Sequence, residues 1–376
     1  MKKRFLATFL AAAMVLGVVG CGSSSSSTTS DSASDSTEQA TDAAEEESAE
    51  EVDELEFNPD QAEDAMTIDE LREANGVEVT VNSDWEIGVV MKSLSNEFWR
   101  TLQEGYEQAS ADTGLAFNIQ ATTDESDEIG QQTMTETLTN QGVDALLLSP
   151  ISDSNLTSAV ENANDAGVLT VNVNDGLIAQ AQHYVGPNAY MNGQLAAEWI
   201  SEKLGDEGDV AIVIGMAKAF AARERTAGFK DWIEENNSGL NVWAEQNADW
   251  DRTKAKDLAA TWIQQNPDLK AIFCNNDDMA LGVVEAVREA EADILVVGVD
   301  GIGEAYESIR NGGLDATVDS FPYYMAQVAT ECTLRALGGQ ELPSAVATPQ
   351  ALIDADNVDT DPAELINWVA PTYVTE

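Results

Sequence analysis

From about Trp85 onward, short apolar runs alternate with stretches of helical periodicity. Residues 86–91, 145–148, 169–173, 210–214, 269–273 and 294–299 are rich in Val, Ile and Leu and have strand length. Between them lie amphipathic stretches. In 96–112, Phe98, Leu102, Tyr106 and Ala109 fall on one helical face, and Gly114 closes the run. Residues 192–203, 224–235, 254–265 and 279–289 have the same character. Strands of this kind, alternating with helices, predict parallel sheets covered by helices on both faces. There are enough units for two successive sheets. The strand spacing and the break near Gly186-Pro187 favour two lobes over a single barrel.

The N-terminal quarter breaks this pattern. Lys2, Lys3 and Arg4 precede an apolar run from Phe5 to Val19, which is short for a membrane span. It ends in Val18-Val19-Gly20-Cys21, which resembles a bacterial lipobox, so residues 1–20 are expected to be a signal peptide and Cys21 the lipidated residue. Residues 22–82 open with five serines, Ser23 to Ser27, and turn acidic at Glu45, Glu46, Glu47, Glu50 and Glu51. Few aromatics and much like charge argue that such a segment cannot offset its ordering entropy, so 21–83 is expected to be a flexible tether. A short helix is expected at 69–75.

Composition narrows the chemistry. The 376 residues carry 68 acidic and 18 basic side chains, a formal net charge of -50, much of it in the tether. Nucleic acid and adhesion to anionic lipid through basic patches are excluded on this charge. Three cysteines and one histidine leave little for a zinc site, and there is no CxxC or HExxH. The run from Asp354 to Asp359 lacks the glycine and the spaced glutamate of a calcium loop. No metal or cofactor is expected. Cys274 and Cys332 are expected to be free, and His183 to be a structural strand-end residue.

The strand ends are the informative positions. Lys92 follows Met91, Ser149 follows Leu148, Asn174-Asp175 follows Val173, and Asn276 lies just beyond Phe273. Asp300 follows Val299, and Asp319-Ser320 follows Val318. Ligands of open parallel sheets bind outside the carboxyl ends of the strands. Amides, carboxylates and a lysine there supply donors and acceptors for a neutral ligand with many hydroxyls. Asn and Asp are also turn formers, so each residue alone is equally explained by the backbone. Only their recurrence over six strands favours a ligand.

Five stretches carry a resemblance: 89–99 with Lys92, Asn96, Phe98 and Trp99; 222–229 with Arg223; 248–252 with Trp250; 275–282 with Asn276; and 296–301 with Asp300. In order and spacing, the body over 85–360 resembles a type I periplasmic sugar-binding protein, the ribose- and allose-binding family of ABC transporter receptors. The resemblance implies an α/β fold of two doubly wound lobes joined by a three-segment hinge. One lobe is expected from 84–186 and 321–346, the other from 187–320 and 347–376. It implies aromatic walls at Phe98, Trp99 and Trp250 and a forked arginine at Arg223. Hydroxyl ligands are implied at Asn96, Asn276 and Asp300.

Departures from the ribose-type pattern at Lys92, Ser149, Asn174 and Ser320 favour an allose-like hexose, another aldose or a cyclic polyol. The implied protein is not an enzyme. It is a monomer, anchored by lipid to the outer face of the cell membrane, that closes on its ligand and delivers it to a permease. Handing the closed form to a chemoreceptor or sensor kinase fits equally, and a furanosyl signalling molecule is an alternative ligand. A transcription regulator of this fold is excluded by the lipobox and by the absence of a basic helix-turn-helix segment.

Overall fold

The computed structural model describes residues 57–236 and 238–376. The leader, Cys21 and the tether up to residue 56 lie outside the described residues. Two sheets organise the rest. The first runs, in spatial order, Met66–Thr67, Ala345–Ala347, His183–Gly186, Leu169–Val173, Ala145–Leu148, Glu86–Met91 and Ala116–Ala121, all parallel. The second runs Ala351–Asp354, Ala316–Asp319, Leu295–Asp300, Leu269–Cys274, Glu207–Ile214 and Gly239–Asn247. Only Ala351–Asp354 is antiparallel to its neighbour there. Strands that are apolar on both faces require cover on both. Val89, Val90, Leu146, Leu148, Ile212, Phe273 and Val297 are all fully buried. In the second lobe Phe229 stacks on Phe273 with ring centroids 4.8 Å apart.

Three short segments cross between the sheets. They join His183–Gly186 to the helix Ala189–Leu204, Ala316–Asp319 to the helix Pro322–Leu337, and Ala345–Ala347 to Ala351–Asp354. Phe321, at the second crossing, has φ 47, a left-handed backbone that a bulky residue adopts only under constraint.

Both ends of the body differ from expectation. Residues 57–83 belong to the fold. Thr67 and Glu70 form a capping box that starts the helix Ile68–Asn75. The strand Glu78–Val81 then pairs in parallel with Thr372–Thr375. The chain terminus therefore does not stay with the second lobe. It returns with this strand to the helix Pro322–Leu337 of the first. The apolar residues responsible, Ile68, Leu71, Val79 and Val81, are buried but few, and so give a weak hydrophobic signal.

Candidate functional site

Loops at the strand ends of both sheets converge on a half-open cavity whose empty space, its mouth included, is about 300 Å³. Its walls are Lys92, Asn96, Phe98, Trp99, Glu125, Asn174, Asp175, Arg225, Trp250, Asn276 and Asp300. Local structure explains much of this placement. Asn96 caps the helix Glu97–Thr113, its Oδ1 accepting from Phe98 N at 2.9 Å. Asn276 caps Asp277–Glu289 in the same way, accepting from Met279 N at 3.0 Å. Each cap commits the amide oxygen and leaves the Nδ2 donor as the group to offer a ligand. Asn174, Asp175, Trp250 and Asp300 have φ of 56, 65, 63 and 128. Backbone strain at four wall residues is the kind that persists where surrounding structure holds side chains for a purpose. Trp250 lies flat over Gly215, where a Cβ would meet its ring at 2.1 Å.

The electrostatics form two groups. Lys92 is 1% exposed, is hydrogen-bonded to Asp175 and lies 3.4 Å from Glu125. Its ammonium also sits 5.6 and 5.7 Å from the ring centroids of Trp99 and Trp250. Burial opposes its charge, but Asp175 and Glu125 outweigh burial and hold its pKa above the ordinary lysine value. Burial pushes the Glu125 carboxyl up despite Lys92. Arg225 donates through Nη1 to Asn275 O at 2.6 Å and lies 3.4 Å from Asp300. Asp300 is pushed well above the carboxylate range by burial, which Arg225 only partly offsets. Lys92 thus faces a carboxylate, whereas Arg225 faces a carboxyl that burial drives toward its neutral form.

Four buried wall atoms make no hydrogen bond within the protein: Glu125 Oε1, Asn174 Oδ1, Arg225 Nε and Trp250 Nε1. A buried polar group left unpaired costs about 1–3 kcal/mol. Two acceptors and two donors on the wall of one cavity, lined also by Phe98, Trp99 and Trp250, form a binding surface for a compact molecule bearing several hydroxyls.

Eight of the residues singled out from sequence line the cavity: Lys92, Asn96, Phe98, Trp99, Asn174, Trp250, Asn276 and Asp300. Three do not. Ser149 is buried outside the cavity wall, its backbone carbonyl accepting from Gln131 Nε2 at 2.6 Å. Ser320 lies in a hinge crossing, 3.5 Å from Asn192 Nδ2. Arg223 points out of the cavity and pairs with Asp153 at 2.5 Å. The arginine of the cavity is Arg225, 3% exposed. Two residues apart on a helix means nearly opposite faces, so only one of the pair can reach the cavity. Asp175 and Glu125 complete the wall. Asp175 was visible as the partner of Asn174, whereas Glu125 sits in a polar loop with no distinguishing pattern.

The lobes touch directly across the cleft. Phe220 N donates to Asp153 Oδ1 at 3.0 Å, Ala221 N to Asp175 O at 2.8 Å, and Glu304 N to Glu97 Oε2 at 3.3 Å. Lys218 pairs with Glu128. This is a closed arrangement, and Arg223–Asp153 is one of its latches. Outside the cleft, His183 Nδ1 contacts Pro343 O at 2.9 Å, and Cys274 and Cys332 are free and buried.

The model of a periplasmic binding protein domain matches residues 87–341. The chain belongs to the periplasmic binding protein family. It is 35% identical over 271 residues to the ribose import binding protein RbsB of Bacillus subtilis, covering 72% of this chain and 87% of that one. It is 36% identical over 248 residues to the D-allose-binding periplasmic protein of Escherichia coli, covering 63% and 79%. Among solved structures, an ABC transporter periplasmic solute binding protein from Actinobacillus succinogenes with bound D-allose is 26% identical with a TM-score of 0.69, covering 74% of this chain and 100% of that one. An ABC transporter solute binding protein from Bacillus halodurans with bound myo-inositol is 27% identical with a TM-score of 0.68, covering 74% and 97%. Periplasmic binding proteins of this type are solute receptors with two α/β lobes, as the two sheets here require.

The closed lobes also bury carboxylates away from the cavity. Asp277 is raised to about 7 and Asp319 to about 8, in both cases chiefly by burial. Asp60 is likewise raised to about 7. A carboxyl whose folded pKa exceeds its unfolded one binds its proton more tightly in the folded protein. Its favourable contribution is full below about pH 4 and is lost as pH rises through 7 to 8. Carboxyls held low, such as Asp206 and Asp209 through their side-chain hydrogen bonds, act in the opposite sense but only below about pH 4. Thermal melting followed by circular dichroism is therefore expected to give a Tm lower by roughly 5 °C or more at pH 8.5 than at pH 5. A Tm that rises over that interval would contradict the assignment.

Proposed function

We propose that this chain is an extracytoplasmic receptor that closes on a small neutral sugar or cyclic polyol and presents the closed form to an ABC importer. The observation that carries the reading is the set of four unpaired buried atoms on residues of the cavity wall. Hydroxyls both donate and accept, so a polyol satisfies Glu125 Oε1 and Asn174 Oδ1 as well as Arg225 Nε and Trp250 Nε1. Lys92 is already committed to Asp175 and Glu125, so the wall offers an anion no uncommitted ammonium. The relatives named for ribose and allose, and the structures holding D-allose and myo-inositol, support the same ligand class. Lys92, Asn96, Phe98, Trp99, Asn174, Trp250, Asn276 and Asp300 are retained as ligand residues, joined by Glu125, Asp175 and Arg225.

No reaction is part of this role. The ligand touches both lobes and shifts the population toward the closed form. The leader and Cys21 support export followed by lipid anchoring, with the protein acting as a monomer outside the membrane.

Calorimetric titration of refolded protein against allose, ribose, xylose, glucose, galactose and myo-inositol tests the reading. Micromolar or tighter binding of one member is expected. Trp250→Ala should weaken it by roughly 100-fold, through loss of one aromatic wall and one donor. No heat from any member would overturn the monosaccharide and polyol assignment.

A further inference from the structure

We infer that residues 57–64, which precede the matched domain, form a strap that ties the two lobes together and favours the closed form of the receptor. One end is fixed to the first lobe. Asp64 accepts from Ser344 N at 2.8 Å and from the Ser344 hydroxyl, and Met66–Thr67 continues into the first sheet beside Ala345–Ala347. The other end reaches the second lobe. Asp60 Oδ2 accepts from Tyr190 N at 2.9 Å, at the start of Ala189–Leu204. Asn188 Nδ2 donates to Asp60 O at 3.4 Å, and Asn58 Nδ2 to Glu224 Oε2 at 3.3 Å.

Apolar contacts follow the same path. Phe57 and Ala62 pack on a cluster built from Leu177 and Tyr184 of the first lobe and Ala189, Phe220 and Ala221 of the second. That cluster depends on closure. Phe220 N and Ala221 N are the groups that bond Asp153 and Asp175 across the cleft. Asn188 and Tyr190 lie at the hinge crossing itself, but Asn58 reaches Glu224, and Phe57 and Ala62 reach the Phe220 cluster. A segment fixed to one lobe that gains such contacts when the two meet stabilises the closed state and shifts the population toward it. No strap residue lines the cavity, and its hydrogen bonds go to Ser344, Asn188, Tyr190 and Glu224, so its main effect falls on closure.

Hydrogen exchange at the amides of Phe220 and Ala221 reads closure without any ligand. In the full chain, the double substitution Asn58→Ala with Asp60→Ala is expected to speed exchange at these amides about 10-fold while leaving the central strands protected. Asp60→Asn keeps an acceptor for Tyr190 N and should retain most of the protection. The same double variant should weaken D-allose, used as the probe sugar, by about 5- to 10-fold. That second arm rests on the receptor reading above. If D-allose does not bind the parent chain, the choice of allose as ligand fails while the exchange arm still decides the strap. Unchanged exchange at Phe220 and Ala221 in the double variant would overturn the strap. A uniform rise in exchange across the core would also overturn it, by showing a general role in stability.

Discussion

Arg225→Ala is expected to raise the sugar Kd by 100-fold or more, whereas Arg223→Ala should raise it by less than about 10-fold. The two arginines sit in one helical turn and make different contacts. Arg225 is buried, donates to Asn275 O at 2.6 Å, faces Asp300, and keeps Nε unpaired beside the cavity. Truncating it removes a charge-assisted donor to the ligand, worth about 1.5–3 kcal/mol. It also leaves Asn275 O and the buried Asp300 carboxyl without their polar partner, so the effects compound to roughly 3–4 kcal/mol, or two to three decades in Kd. Arg225→Lys should recover only part of this, because an ammonium cannot replace a planar fork. Arg223 is 23% exposed and meets Asp153, which retains Leu177 N and Phe220 N as donors after the change. Its loss weakens a latch of the closed form and no ligand contact. Titration calorimetry on the three variants separates these roles. A larger loss from Arg223→Ala than from Arg225→Ala would return the ligand contact to Arg223.

The architecture was legible because its determinants are local. Strand runs such as Ala145–Leu148 and the helical stripe of Phe98, Leu102, Tyr106 and Ala109 are apolar patterns read within a few residues, and all of these residues are buried. The cavity was legible where a residue's position along its own strand settles which way it faces. Lys92, Asn174 and Asp300 at the strand ends are of this kind. Choosing between Arg223 and Arg225 requires the helix phase relative to a cleft formed by distant segments. Ser149 presents the same difficulty: a strand-end position does not reveal that Gln131, from another helix, draws its carbonyl inward. Residues 57–83 were hidden for a further reason. Val79 and Val81 pair with a strand near the other end of the chain, and Arg72 finds Glu331 at a separation of 259 residues. An acidic, sparsely apolar segment looks like a tether until such partners are known.

That distant partnership carries the largest expected effect on stability. Glu331 is completely buried and accepts from two arginines: Arg72 Nη2 at 2.7 Å and Arg335 Nη2 at 2.7 Å. Arg335 also donates to Gly76 O at 2.6 Å, and the Arg72 guanidinium lies 4.8 Å from the Trp368 ring centroid. The triad therefore joins the Ile68–Asn75 helix and the C-terminal segment to the Pro322–Leu337 helix. Glu331→Ala would leave two buried guanidiniums facing each other with no anion, a loss of about 3–5 kcal/mol. For a chain of this size the Tm should fall by roughly 10 °C. Arg72→Met should cost less, since Arg335 still neutralises Glu331 four residues away on the same helix. A chain beginning at residue 84 lacks both Arg72 and the strand Glu78–Val81, which leaves Thr372–Thr375 without its pairing partner. It should melt below the Arg72→Met variant, although every cavity residue is present. Melting of Glu331→Ala within a degree or two of the parent would show that the triad contributes nothing net, and that the N-terminal helix is held by its apolar residues Ile68 and Leu71 alone.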